Sequence, residues 1–289
     1  MDNKTKGGGA VMTARKQVLN SIIFLFLSSL SIAFLVPILV VLLNSFKTKF
    51  SIVGTPFELP TSETFAGLDN YIFGIKTAGL MKAFFISLFI TVASVVVIVI
   101  FCSMTAWYVT RVKTTATKII YTLFIFSMIV PFQMVMYTMT YTVMSTGLNN
   151  PFGIVLVYLG FGAGMSVFML SGFVKSVPIE VEEAALIDGC NPLQSFFLVV
   201  FPIMKPTAIT VAILNAMWIW NDFLLPYLVL GENKTLPVAI QLAMQGAYGS
   251  INWGGFMAML IVAIIPIVIF YVSCQKYIIK GVVAGAVKG

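Results

Sequence analysis

Long apolar runs alternate with short polar interruptions along the chain. A helix needs ~20 apolar residues to cross a bilayer's hydrocarbon core. Six stretches meet that length, near 20–43, 83–109, 119–144, 152–174, 207–228 and 255–277. The third and fourth come from one uncharged run, Ile119 to Val174, which is 56 residues long. The segment STGLNNPFG (Ser145 to Gly153) divides it, because Asn-Asn-Pro with flanking glycines is turn chemistry. The pattern therefore predicts an all-α polytopic membrane protein with six transmembrane helices.

The first run excludes a simpler reading. Gln17 to Phe46 carries no charge over 30 residues. A secretory signal has an apolar region of only ~7–15 residues, and no A-x-A cleavage site follows. A retained first span is expected, preceded by a short extension over residues 1–16.

Composition agrees. The 289 residues are 60% hydrophobic and 9% charged, whereas a soluble domain carries roughly 25% charged residues. The net charge of +7 is unevenly placed. With the N-terminus inside, 12 Lys and Arg fall on cytoplasmic segments and 5 on external ones. The positive-inside rule then puts both termini in the cytoplasm. This explains the charge without a nucleic-acid partner. There is no His, which removes imidazole metal sites and His-based catalysis. Cys102, Cys190 and Cys274 form no C-x-x-C pair, and no phosphate-binding G-x-x-x-x-G-K-[ST] loop occurs. No metal site is expected.

One cytoplasmic segment, 176–206, is unusually polar. Pro178 suits a first helical turn, and Ile179 to Ile187 is rich in Glu and Ala, good helix formers. Gly189 can take φ > 0 and end that helix. Asn191, Pro192 and Gln194 have the order of a capped second helix, expected to run to about Val200. Pro202 and Pro206 are expected to mark the entry to the fifth span. Glu180 and Glu183 share a face at i, i+3. Ala184, Ala185 and Gly189 are small enough for another protein to approach the backbone. By residue chemistry alone, a solvated amphipathic loop and a docking element fit equally.

The stretch EAALIDGCNPLQSFFLVVFP (Glu183 to Pro202) resembles the EAA loop of bacterial ABC importer permeases. Glu183, Ala184, Ala185, Asp188, Gly189 and Pro202 fall at that motif's positions. WNDFLLPYLVL (Trp220 to Leu230) resembles a segment typical of carbohydrate importer permeases. KGVVAGAVKG (Lys280 to Gly289) resembles the tail of the maltose-transporter type. The resemblance implies a transmembrane permease domain over 17–289, with an EAA loop at 176–206, an outer loop at 231–253 and a cytoplasmic tail at 278–289. It implies a subunit of the bacterial cytoplasmic membrane that imports a carbohydrate by alternating access. A second, unlike permease subunit would complete the path. Two ATP-binding subunits would use ATP and Mg, and an extracellular solute-binding protein would deliver the sugar. This chain would bind no cofactor and catalyse no reaction. Its EAA helix, with Glu180 alongside the motif residues, would dock on the ATPase.

Polar residues within the spans are costly to face with lipid. Gln133, Tyr137, Thr140 and Tyr141 lie within a ~100° arc on a continuous third span. Asn215, Trp218 and Asp222 lie within ~60° on the fifth, next to Asn221, while Trp220 points away. Counted along straight helices, Gln133 and Asp222 both sit ~22–24 Å from the inner end. Two stripes at one depth suit a neutral sugar, offering amides, hydroxyls and aromatic faces. The same groups also suit helix–helix hydrogen bonding or an interfacial aromatic belt.

Two other function classes fit the residues less well. An ion-coupled secondary transporter needs intramembrane carboxylates or His, and Asp222 is the sole candidate. A membrane enzyme lacks any nucleophile–base or metal constellation.

Overall fold

The computed structural model describes residues 5–76, 79–245 and 251–286, without the side chains of 5–15, 245 and 276–286. Thirteen helices occur among the described residues. They are α1 (Thr5–Asn44), α2 (Lys49–Gly54), α3 (Asp69–Lys76), α4 (Leu80–Arg111), α5 (Thr115–Ile129), α6 (Phe132–Ser145) and α7 (Gly153–Val174). These are followed by α8 (Ile179–Ile187), α9 (Pro192–Ser195), a π-helical turn (Phe196–Val200), α10 (Phe201–Asn221), α11 (Leu224–Val229), α12 (Leu236–Gln245) and α13 (Trp253–Ala286). Among the described residues there is no strand, only an isolated antiparallel bridge between Lys47 and Phe65. The last three residues of the tail that resembles the maltose-transporter type lie outside the described residues.

Five helices are long and apolar enough to cross a membrane: Lys16–Asn44, Leu80–Arg111, Gly153–Val174, Pro192–Asn221 and Trp253–Gln275. The sixth expected span is broken. α5 and α6 are bent by 108° at Val130–Pro131. Proline cannot donate the next helical hydrogen bond, and it pushes the preceding residue into extended geometry. Val130 is accordingly extended, with ψ 115°. The depth count that placed Gln133 along a straight third span, level with Asp222, therefore does not hold.

A second correction concerns the two prolines expected to open the fifth span. Pro202 and Pro206 instead lie inside one helical run, from Pro192 to Asn221. Pro206 lies within α10, and Pro202 closely follows the π-helical turn. There the Phe201 N–H reaches back to the Phe196 carbonyl, a wider pattern that adjusts the backbone where proline offers no donor. The fifth span also ends earlier than expected. It stops at Asn221, and a separate short helix, α11, follows.

The chain forms two compact units. The first contains Met1–Gly74 and Ile251–Ile261. The apolar side chains of α1 are nearly all exposed, a surface suited to lipid or another span. Beyond α1 the chain folds on itself through backbone capture. Asn70 Nδ2 donates to the carbonyls of Ser45 and Lys47, both at 2.9 Å. Tyr71 and Ser45 share a 2.7 Å hydroxyl bond. Gly254 lies so close to the Asn70 side chain that no Cβ would fit there.

The second unit contains Ile75–Ser250 and Val262–Gly289. Its core is made by α4, α7 and α10, with α5 packed on α7. Ile90, Ile98, Ala106, Tyr158, Val167, Leu170, Phe196, Met204 and Val211 are buried within it. Small residues allow the helices to approach closely, as is usual between membrane helices. A Cβ on Gly164 would lie 2.8 Å from the Phe124 carbonyl of α5. The expected outer loop 231–253 is not all loop. It contains α12, whose Leu236, Val238, Ala239 and Ile240 are buried, and whose first N–H donates to Ser87 Oγ of α4 at 2.7 Å. Residues 246–250 of that loop lie outside the described residues.

Candidate coupling hairpin and polar stripes

The polar segment folds as a capped helix–turn–helix. α8 ends in a Schellman motif: Gly189 has φ +87°, the Cys190 N–H reaches the Ala185 carbonyl, and the Gly189 N–H reaches that of Leu186. The next helix opens with a reciprocal capping box. Gln194 N donates to Asn191 Oδ1, and Asn191 N donates to Gln194 Oε1, both at 2.9 Å. Pro192 occupies the first helical position.

The two faces of α8 differ. Glu180, Glu183, Ala184, Ile187, Asp188 and Gly189 are exposed, and Ile187 retains 86% of its accessible surface. Across the turn, Leu193 is exposed as well. Glu182 and Ala185 face inward and are buried. The two alanines of the motif thus do not share one surface: Ala184 is outward and Ala185 inward, as a 100° step per residue requires. Pro202 is exposed on the helix that follows.

Sequence reasoning passed over Glu182. It is 7% exposed and accepts from three side-chain donors of α4. Arg111 Nε and Nη2 reach its Oε1 at 2.8 and 2.7 Å. Trp107 Nε1 reaches its Oε2 at 2.9 Å. Arg111 Nη2 also donates to the Val177 carbonyl at 2.8 Å. The available signal was Trp107 and Arg111, one turn apart at the charged end of an otherwise apolar span.

The polar stripe of α10 faces α7. Asn215 is wholly buried and donates to Ser166 Oγ at 3.1 Å and to the Val211 carbonyl at 2.9 Å. Tyr158 OH donates to Asp222 Oδ2 at 2.9 Å. Trp218, partly exposed, meets the Tyr158 ring edge-on at 5.5 Å. Asp222 also receives the Leu224 N–H on Oδ1, so it caps the break between α10 and α11. Trp220 is buried against Phe84. Asn221 is exposed and bonds the Met217 carbonyl of its own helix.

The stripe of α6 is bare. Gln133 is exposed, and Tyr137 and Tyr141 keep 80% and 76% of their surface. Thr140 instead bonds back to Met136. α6 packs against α11, the short helix that follows α10.

The family described as "Binding-protein-dependent transport system inner membrane component" matches residues 98–283. The chain is 40% identical over 261 residues to a probable starch degradation products transport system permease protein of Thermoanaerobacterium thermosulfurigenes. That alignment covers 90% of this chain and 93% of the relative. It is 37% identical over 263 residues to a multiple sugar-binding transport system permease protein of Streptococcus mutans, covering 89% and 93%. Its fold is similar to that of a chain in a bacterial ABC transporter involved in import of the acidic polysaccharide alginate. There the TM-score is 0.78 at 21% identity, over 91% of this chain and 97% of that one. The chain belongs to the binding-protein-dependent transport system inner membrane component family, among the sugar ABC transporter permeases.

Proposed function

We propose that this chain is one of two unlike permease subunits of an ATP-driven oligosaccharide importer in a bacterial cytoplasmic membrane. Two ATP-binding subunits use ATP and Mg on the cytoplasmic side, and an external binding protein delivers the sugar. The chain itself makes and breaks no bond in the sugar. Starch-derived and mixed sugars are the first substrates to test, because the relatives at 40% and 37% identity are named for them.

The observation that carries this reading is the outward face of α8. Helix ends locked by a Schellman turn and a capping box hold an acidic and apolar surface in one shape. Such a surface suits a groove on a partner, with Glu180, Glu183 and Asp188 at its polar rim. Both termini lie with it in the cytoplasm. Nucleotide-driven movement of the partner shifts the hairpin, and the spans alternate between outward and inward access. Gln133, Tyr137, Tyr141, Trp218 and Asn221 are the pathway groups. Their exposed hydroxyl, amide and aromatic surfaces match a sugar's hydroxyls and apolar ring faces. Asn215 and Asp222 border the path and hold its walls.

The test is uptake of labelled maltooligosaccharide by membranes containing all four kinds of subunit. Glu183→Ala or Gly189→Ala is expected to abolish uptake and release or uncouple the ATPase, with the permease still inserted. The left-handed φ at Gly189 costs a substituted residue ~1–2 kcal/mol, which distorts the turn. Unchanged uptake in both variants overturns the reading.

A further inference from the structure

Glu182 and Glu183 are adjacent carboxylates with opposite surroundings. Glu183 is exposed, whereas Glu182 is buried against α4. Removing a carboxylate from water is costly unless hydrogen bonds replace its hydration. Three N–H groups of α4 do so here. Helix dipoles add to the pairing, since Arg111 ends α4 and Glu182 lies in the first turn of α8. The second limb of the hairpin is held by the same end of α4. The Trp107 ring packs on Phe196 of the π-helical turn, with centroids 5.4 Å apart. The Val177 carbonyl, just before α8, takes a further Arg111 donor. Arg111 and Trp107 therefore grip the hairpin at its entry, its first turn and its return.

This grip supplies a connection that the chain path does not. The hairpin runs covalently into α10 through the π-helical turn and follows α7 through residues 175–178. It has no chain link to α4, a central helix of the core. We propose that Arg111, Trp107 and Glu182 form a positioning clamp that carries movement of the hairpin to α4. Glu183 meets the partner, and Glu182 passes the displacement inward. A guanidinium fork is required because one group must hold the carboxylate and the Val177 carbonyl together, which a lysine ammonium does less well.

The inference rests on the importer reading, and the experiment separates the two. The readout is sugar transported per ATP hydrolysed, measured on purified assembled complex in proteoliposomes. Arg111→Gln and Glu182→Gln are each expected to lower that ratio about 10-fold, a common size for coupling between sites. The double variant is expected to be no worse than either single one, since both remove the same link. Trp107→Phe, which removes one donor and keeps a ring, is expected to lower the ratio about 3-fold, on the order of one net hydrogen bond. Arg111→Lys is expected to fall between Gln and the native residue. If Arg111→Gln does not assemble, Trp107→Phe and Arg111→Lys decide the matter by the same ratio. A native ratio in the assembled variants, with only reduced thermal stability, overturns the clamp. A native complex that imports no sugar would instead overturn the importer reading itself.

Discussion

Asp222 is the residue at which two transport classes can be told apart by experiment. It is the carboxylate that an ion-coupled carrier would use, yet both its oxygens have structural partners. Oδ2 accepts from Tyr158, and Oδ1 accepts from the backbone N–H of Leu224. An amide can keep both contacts, because its oxygen still caps Leu224 and its NH2 can donate to the Tyr158 oxygen. Asp222→Asn is thus expected to retain uptake, measured with labelled sugar, and to unfold near the native temperature. Asp222→Ala leaves the buried Tyr158 hydroxyl without its acceptor. It is expected to lose about 2 kcal/mol of stability, read as a lower melting temperature in detergent. Loss of uptake in a fully stable Asn variant would restore the ion-coupled alternative. Asn215 teaches a similar lesson. A buried intramembrane amide suits a sugar path or a helix contact, and here its Nδ2 donates to Ser166 Oγ of α7.

At the level of elements, glycines and prolines did most to separate expectation from outcome. The turn glycine at 189 and the cap at 191–194 were legible because their chemistry is local: a left-handed turn and a capping box need only neighbouring residues. The break at Pro131 was also written in the sequence, but a continuous apolar run hid it. Pro202 and Pro206 look like the same signal, yet they continue a helix. Pro202 follows a π-helical turn, which no spacing announces, and Pro206 is absorbed within α10. Close helix approach is also non-local. Gly164 makes room for the Phe124 carbonyl and the Ser127 and Met128 side chains of α5. Gly164→Ala must push α5 away, because a carbonyl in a helix cannot turn aside as a flexible side chain can. A loss of ~1–3 kcal/mol is expected, seen as earlier thermal unfolding of the detergent-solubilised protein.

For the whole molecule, the division of surfaces matters most. α1 and α6 leave apolar and aromatic faces bare, and the hairpin presents an acidic and apolar face. A chain so built is expected to be inert by itself. Reconstituted alone in liposomes, it should show no sugar uptake under an imposed proton or sodium gradient, and uptake should appear only with the unlike permease, the ATPase and binding protein. Gradient-driven uptake by the single chain would contradict this. Apolar length and charge asymmetry, properties of the linear chain, determined that the protein spans a membrane through about six helical segments. The local chemistry of residues 178–194 determined the capped hairpin. Tertiary structure alone decided which of two adjacent glutamates is exposed and which holds α4. It also decided that Asn215 and Asp222 bond to α7. Those outcomes depend on which groups meet across 49 to 75 residues of chain, and a buried polar group left without a partner is costly.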